Sequence, residues 1–155
     1  MFNGAKFTLP TQGASMIYVV VQFACIIYLV INAQLTNFDL PVYILMALSA
    51  VIGGMAIINM RLDNLNIVPT LKQRHQLITT GIYAYIRHPM YSSVLLFCLA
   101  LTLSNIHLYA LLVMLVLLID LIMKSNFEEK LLAERFEQYK NYKTDTGRFL
   151  PFKRY

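Results

Sequence analysis

Residues 89–123 read PMYSSVLLFCLALTLSNIHLYALLVMLVLLIDLIM. The stretch contains two apolar runs, Tyr91 to Ser104 and Leu108 to Met123, separated by only three residues. If the first helix starts at Pro89, it rises about 24 Å at about 1.5 Å per residue, which is short of a hydrocarbon core of about 30 Å. The brief link between the runs predicts that the two helices form a tight hairpin.

Two more apolar runs precede this hairpin, Ser15 to Ala33 and Pro41 to Asn59. Each has about the length needed to cross a hydrocarbon core. The first run is broken by two amides, one of them Gln22, and the second contains Gly53 and Gly54, which suit close helix–helix approach. A short polar link joins the two runs, so we expect an antiparallel pair.

The composition is typical of a membrane protein. Of 155 residues, 58% are hydrophobic and 14% are charged, against about 45–50% and about 25% in soluble domains. The length favours one domain. The net charge of +5 does not indicate nucleic acid, because the cations flank apolar runs. Cys25 and Cys98 lie inside apolar runs, which argues against a disulfide or a metal site.

The positions of Lys and Arg predict the orientation. The N-terminal stretch holds Lys6, and the middle segment holds Arg61, Lys72, Arg74 and Arg87. The C-terminal segment from Lys124 holds the other eight, and the two short links hold none. Four crossings place every cation on one side, so the chain is predicted to be multi-pass with both termini cytoplasmic, in a bacterial inner membrane or the endoplasmic reticulum.

Apolar residues recur at helical spacing from Lys124 to Tyr142, with charges between them. This pattern predicts an amphipathic helix that continues the fourth span out of the bilayer. The segment from Met60 to Met90 is too polar for lipid contact and is placed at the membrane surface. The predicted fold is therefore an all-α polytopic membrane protein with four membrane helices, the last two a tight hairpin, plus a C-terminal amphipathic helix.

The segment from Gly81 to Tyr91 carries the first chemical motif. Pro89 disfavours helical geometry at His88, so the third helix begins near Pro89. Its free N–H groups beside the guanidinium of Arg87 form a predicted anion site. The alternative is an interfacial Arg–His pair with tyrosines in the aromatic belt.

Glu128 and Glu129 form the second motif, just beyond the fourth apolar run. Adjacent carboxylates at this position suit a cationic group. The alternative is a solvated helix face in which Lys124 pairs with Glu128 at i, i+4.

Together the two motifs resemble the superfamily of isoprenylcysteine carboxyl methyltransferases and phospholipid methyltransferases. The family pattern runs L-x-x-x-G-x-Y, R-H-P-x-Y, a helical hairpin, then E-E-x-x-L, F and Y. The resemblance covers residues 71–151, although relatives often have glycine where Ser93 stands, which would loosen the fit of the third helix against a cofactor. The matching residues are Leu77, Gly81, Tyr83, Arg87, His88, Pro89, Tyr91, Glu128, Glu129, Leu132, Phe136, Tyr139 and Tyr142.

The resemblance implies a single membrane-embedded methyltransferase domain over 1–155, with two N-terminal spans in 15–59 and a cofactor-binding half in 60–155. It implies S-adenosyl-L-methionine as methyl donor and no metal. Arg87 and Glu129 are the expected catalytic residues. Arg87, His88 and the start of the third helix suit the donor's carboxylate, and Glu128 or Glu129 its ammonium. The implied cofactor-binding residues are Tyr83, Arg87, His88, Pro89, Tyr91, Glu128 and Glu129.

The methyl acceptor stays open at this point. A membrane lipid or lipidated acceptor is expected, with an isoprenyl or acyl carboxylate or a lipid amine as the accepting group. A protonated amine needs a base, for which His75, His88, Glu129 and Asp120 are conceivable. Asp120 is a functional candidate because it is ionisable within a membrane segment, or else an interfacial residue bonded to a neighbouring helix. The rival functions are a membrane reductase with a reduced nicotinamide cofactor and a non-catalytic helical subunit.

The topology generates a first prediction. Asn37 lies in the link between the first two spans, which holds no Lys or Arg, so a cysteine engineered there is expected to react with an impermeant thiol reagent from outside the cytoplasm. Labelling from the cytoplasmic side alone would contradict the predicted orientation.

Overall fold

Each apolar run forms a helix in the computed structural model, which describes residues 12–60 and 77–152, with side chains from Met16 onward. This part of the chain is helical and without strands, which confirms the all-α prediction, and α4 follows α3 after three residues, as the predicted hairpin requires. The helices are α1 (Gln12–Asn32), α2 (Leu40–Met60), α3 (Pro89–Ser104), α4 (Leu108–Arg135) and α5 (Tyr139–Asp145).

Two of these helices, α2 and α4, are long and apolar enough to cross a membrane. The apolar part of α1 that the structure describes, Met16–Asn32, and α3 are shorter than that. The helices carry large apolar side chains on their outer faces; Ile31 and Ile58 are each 76% exposed. Apolar surface of this extent is typical of a protein that contacts lipid.

The first two helices pack on different partners. α2 lies mainly against α3, and α1 mainly against α4. The expectation that α1 and α2 form a pair is therefore wrong. The short link limits their separation, but the choice of partner follows from side-chain fit: Cys25 and Leu29 of α1 pack in one core cluster with Leu117 and Leu121 of α4.

A small-residue contact joins α2 to α3. The Ser93 hydroxyl donates to the Ser49 carbonyl at 2.8 Å, and the Ser49 hydroxyl donates to the Ser93 carbonyl at 2.8 Å. A Cβ added at Gly53 would lie 2.6 Å from Ser93 Oγ, whereas one at Gly54 would meet nothing within 4 Å. Of the two glycines in α2, Gly53 is thus the one that permits close approach. Ser93 faces α2, so its departure from the family's glycine bears on helix packing.

The C-terminal helix differs from the prediction. α4 ends at Arg135, Phe136 is extended (φ −124°, ψ 110°), and α5 begins at Tyr139. One continuous helix from Lys124 to Tyr142 is therefore wrong. The turn at 136–138 reverses the chain and buries Tyr139, which is 1% exposed, and it lets the Tyr142 hydroxyl donate to the Tyr83 carbonyl at 2.6 Å. A straight helix would carry both tyrosines away from the other helices.

The contact between α2 and α3 generates a second prediction. Gly53→Ala is expected to lower the melting temperature in detergent, because its Cβ displaces the Ser93 hydroxyl and breaks a bond worth about 1 kcal/mol. The matched control Gly54→Ala is expected to be neutral or stabilising, since alanine favours the helix by up to about 1 kcal/mol. In a Ser93→Ala background the cost of Gly53→Ala should disappear. An equal effect of the two glycine substitutions would contradict this account.

Candidate functional site

The backbone before α3 is held by the C-terminal tail. The Arg87 N–H donates to the Gly147 carbonyl at 2.8 Å, and the His88 N–H donates to the Arg148 carbonyl at 3.1 Å. A Cβ at Gly147 would lie 2.0 Å from the Leu150 carbonyl oxygen, so the tail turns here only with glycine. This pairing places the Arg148 side chain beside the Arg-His-Pro motif.

A buried carboxylate, Glu129, lies at the centre of the site with only 2% of its side chain exposed. Four cationic or protonatable groups surround it. Arg87 Nε lies 3.0 Å from Oε1, His88 Nε2 3.2 Å from Oε1, Lys143 Nζ 2.9 Å from Oε2 and Arg148 Nη2 3.4 Å from Oε2. We call these five residues together with Glu128 the Glu129 cluster.

The contacts within the cluster shift two pKa values in opposite directions. Burial by itself raises the pKa of Glu129, but hydrogen bonds from His88 and Lys143 and the charge of Arg87 hold it well below its ordinary range. Burial by itself lowers the pKa of His88, but hydrogen bonds to Glu128 and Glu129 bring it above its ordinary value. The cluster therefore favours an ionised Glu129 and a protonated His88.

Glu128 is the more accessible carboxylate, with 22% of its side chain exposed. It accepts a hydrogen bond from the Tyr91 hydroxyl, and its Oε2 lies 3.5 Å from His88 Nδ1. The His88 and Tyr91 rings stack in parallel with centroids 5.4 Å apart. The two predicted motifs are therefore in direct contact, and Glu128 is not on a solvated helix face.

The guanidinium of Arg87 also bonds the end of α5. It donates to the carbonyls of Lys143, at 2.9 Å, and of Thr146, which otherwise lack helical partners at a C-terminus. The N–H groups of Tyr91 and Ser92 donate to the His88 carbonyl. The guanidinium and these N–H groups therefore bond carbonyl groups of the protein itself. The prediction instead assigns them to an anion bound at the start of α3.

A cavity of about 50 Å³ adjoins the cluster. The hydroxyls of Tyr83 and Tyr139 are buried without a hydrogen-bond partner among the described residues. A buried polar group left unpaired costs about 1–3 kcal/mol, so a ligand that bonded either hydroxyl would remove this cost. The cavity is lined by Met60, Leu77, Ile78, Tyr83, Arg87, Leu132, Tyr139 and Tyr142.

The structure brings most predicted site residues together. Pro89 is the first residue of α3 and fixes where that helix begins after the motif. Lys143 and Arg148 are not among the predicted site residues. The signal for Lys143 is only the excess of cations in the C-terminal segment, whereas Arg148 opens a closing Arg-Phe-Leu-Pro stretch that also resembles the end of the family pattern. His75 lies outside the described residues, as do six cations of the orientation argument: Lys6, Arg61, Lys72, Arg74, Lys153 and Arg154.

Asp120 lies apart from the Glu129 cluster. It is on α4, about two turns before Glu128, and is buried, with 6% of the residue exposed. Within the part of the chain that the structure describes, no group of three or more His, Cys, Asp and Glu residues is placed to hold a metal ion.

Comparison with known proteins gives a family match. A family model described as "Phospholipid methyltransferase" matches residues 41–139. The matched region includes α2, α3, α4 and both charged motifs, and it ends before Lys143 and Arg148. No curated protein sequence matches the chain.

The cluster generates a third prediction, on stability against pH. The folded pKa of His88 lies above its ordinary 6.5, so its contribution to stability is fully present below that pH and is lost as the pH rises through the folded value. The contribution of Glu129 to stability is present above its ordinary pKa of 4.5 and is lost only at lower pH, as the pH falls through its depressed folded pKa. We therefore expect the melting temperature to fall as the pH is raised from about 6.5 through the folded pKa of His88.

The control is the same measurement on two variants. His88→Gln removes the titrating ring and should flatten the fall, whereas Lys130→Ala, which removes an exposed charge next to Glu129 on α4, should retain it. A fall of equal size in His88→Gln would contradict the assignment.

Proposed function

The chain belongs to the phospholipid methyltransferase family, as its motifs indicated, and we propose that it transfers a methyl group from S-adenosyl-L-methionine to a membrane-soluble acceptor. Family membership indicates methyltransferase activity. The methyl donor, the nature of the acceptor and the arrangement in the membrane are parts of the proposal.

The observation that carries the proposal is the charge balance of the Glu129 cluster. Three permanent cations, Arg87, Lys143 and Arg148, and the protonatable His88 face two carboxylates. The cluster therefore has positive charge in excess, which suits a carboxylate group, beside a half-buried acid, which suits an ammonium group. The amino-acid end of S-adenosyl-L-methionine carries both groups, so the residues present fit this donor.

The surroundings favour particular roles for the two glutamates. Glu129 is already enclosed by four partners, so we assign it to organise the cations that bind the carboxylate. Glu128 is more exposed, so we assign it to the ammonium. We assign Tyr83 and Tyr139, whose hydroxyls are unpaired at the cavity, to the polar part of the nucleoside. The rest of the nucleoside is larger than this cavity of about 50 Å³ and would extend beyond it.

The donor supplies an already activated methyl group, so the chain's own residues mainly position the reactants. Arg87 ties α5 and the tail to the motif, which keeps Lys143 and Arg148 beside Glu129. Tyr91 holds Glu128 from the α3 side. Fixed charges of this kind orient the donor, and the surrounding helices exclude water from the reacting centre.

The acceptor is proposed to enter from the bilayer. The described helices carry exposed apolar side chains such as Ile17, Val20 and Leu111, and the chain has little polar mass to enclose a second water-soluble substrate. We propose that α1 to α4 are all inserted in the membrane, with both termini and the Glu129 cluster on the cytoplasmic side, where the donor is available.

The direct test is transfer of labelled methyl from the donor into a lipid extract by the purified protein, followed by identification of the labelled species. Titration with a reduced nicotinamide cofactor in place of S-adenosylhomocysteine tests the reductase alternative. Binding of the nicotinamide cofactor without binding of S-adenosylhomocysteine would overturn the proposal, and binding of neither would favour the non-catalytic subunit.

The roles of the two glutamates generate a fourth prediction. Glu128→Gln is expected to weaken S-adenosylhomocysteine binding by about 30-fold or more, because losing one partner of a desolvated charge pair costs about 2–5 kcal/mol. Its melting temperature should change little, since Glu128 is partly exposed, whereas Glu129→Gln is expected to lower both affinity and melting temperature by breaking a buried network.

Lys130→Ala is the matched control, because an exposed charge on the same helix contributes at most about 1 kcal/mol. Calorimetry beside a melting curve separates binding from folding for each variant. Unchanged affinity in Glu128→Gln would remove Glu128 from the binding site.

A further inference from the structure

A second group of polar side chains lies among α1, α3 and α4, next to the Glu129 cluster. It consists of Gln22 from α1, Tyr91 from α3, and Asp120 and Lys124 from α4, and we call it the inner polar cluster. Lys124 is 2% exposed, Asp120 6% and Gln22 9%. Buried charges between apolar helices are costly, so these residues call for a specific reason.

The contacts leave Asp120 incompletely paired. Lys124 Nζ donates to Gln22 Oε1 at 2.9 Å and lies 5.0 Å from the centroid of the Tyr91 ring. Asp120 Oδ2 is buried and has no hydrogen-bond partner among the described residues. A purely structural ion pair of Asp120 with Lys124 would engage this oxygen. Instead the ammonium of Lys124 is directed to Gln22, and the carboxylate of Asp120 presents a free acceptor.

The inner polar cluster is in contact with the proposed donor site. Asp120, Lys124 and Glu128 follow one another at intervals of four residues, which places them on one face of α4. Eight residues separate Asp120 from Glu128, about 12 Å along the helix. Tyr91 spans the interval, since its hydroxyl bonds Glu128 and its ring lies against Lys124.

We propose that Asp120 binds the ammonium group of a lipid amine acceptor and removes its proton, an inference that rests on the proposed methyltransferase function. Its unpaired oxygen is suited to a hydrogen-bond donor and repels a carboxylate. Asp120 lies on α4 before Glu128, on the side away from α5. An acceptor bound there would approach the donor from between the membrane helices. Lys124 then acts as a positioning residue, because its ammonium bonds Gln22 and leaves the Asp120 oxygen free for the acceptor.

The step balances in atoms and charge. The protonated amine gives one proton to the Asp120 carboxylate, and the freed nitrogen lone pair forms a bond to the methyl carbon. The bond between that carbon and the donor's sulfur breaks, and its electron pair neutralises the sulfonium. The nitrogen is left positively charged, and Asp120 releases its proton to solvent before the next turnover. One proton is thus produced for each methyl group transferred.

The test compares Asp120→Asn with the wild type on three acceptors in vesicles of phosphatidylglycerol: phosphatidylethanolamine, stearylamine and stearic acid. The wild type is expected to methylate an amine lipid. Asp120→Asn should lower that rate by about 100-fold or more, which is the usual contribution of a general base. Its residual rate should rise with pH as the amine deprotonates in solution, a response that a merely structural role would not produce.

The dependence of the methylation rate on pH also reflects the groups that interact electrostatically with Asp120. They are Lys124 on α4, Tyr91 on α3 and Cys25 on α1. Profiles of Cys25→Ser and Asp120→Asn are therefore recorded together. The acidic limb set by Asp120 is expected to persist in Cys25→Ser, whereas in Asp120→Asn only the rise that follows deprotonation of the amine in solution should remain.

Ser125→Ala is the matched control, since Ser125 is equally buried on α4 and bonds the Ile122 carbonyl of its own helix. S-adenosylhomocysteine binding should be unchanged in both Asp120→Asn and Ser125→Ala. Wild-type rates in Asp120→Asn, or methylation of stearic acid alone, would overturn the role of Asp120 while leaving the methyltransferase proposal intact. Failure of the wild type to bind S-adenosylhomocysteine would instead overturn the proposed function itself.

Discussion

The carboxylate of Glu129 is the interaction on which the arrangement of the site depends. It joins the motif before α3, the helix α5 and the C-terminal tail, because Arg87, His88, Lys143 and Arg148 all direct a cation to it. A carboxylate buried to this degree is stable only when its partners are in place. The same requirement fixes the turn after Arg135 and the course of the tail.

Polar chemistry is concentrated on one face of one helix. α4 carries Asp120, Lys124 and Glu128 in succession, and Tyr91 of α3 contacts two of them. The apolar helices around this face supply packing through Leu117 and Leu121. A donor held at one end of the face and an acceptor held at the other would meet between apolar helices, which is the situation that methyl transfer to a lipid requires.

Stability and binding overlap in this site. Arg87 closes the end of α5 as well as pairing with Glu129, so its removal affects folding and charge together. Glu128 has fewer partners and more exposure. The two adjacent carboxylates therefore differ in what they do, although nothing in their neighbouring sequence distinguishes them.

Local features of the sequence determined much of the fold. Apolar run lengths predicted the helices α1 to α4, and Pro89 and the three residues 105–107 predicted where α3 begins and where it turns into α4, because these properties act within a few residues. The motifs likewise predicted that Arg87 and His88 belong with the glutamate pair. The partners of α1 and α2, the break before α5 and the recruitment of Lys143 and Arg148 were decided only by the tertiary structure. These features depend on two interactions: the fit of Gly53 against Ser93, and the pairing of a buried carboxylate with cations. Each interaction joins residues that are far apart in the chain, so local sequence patterns do not predict it.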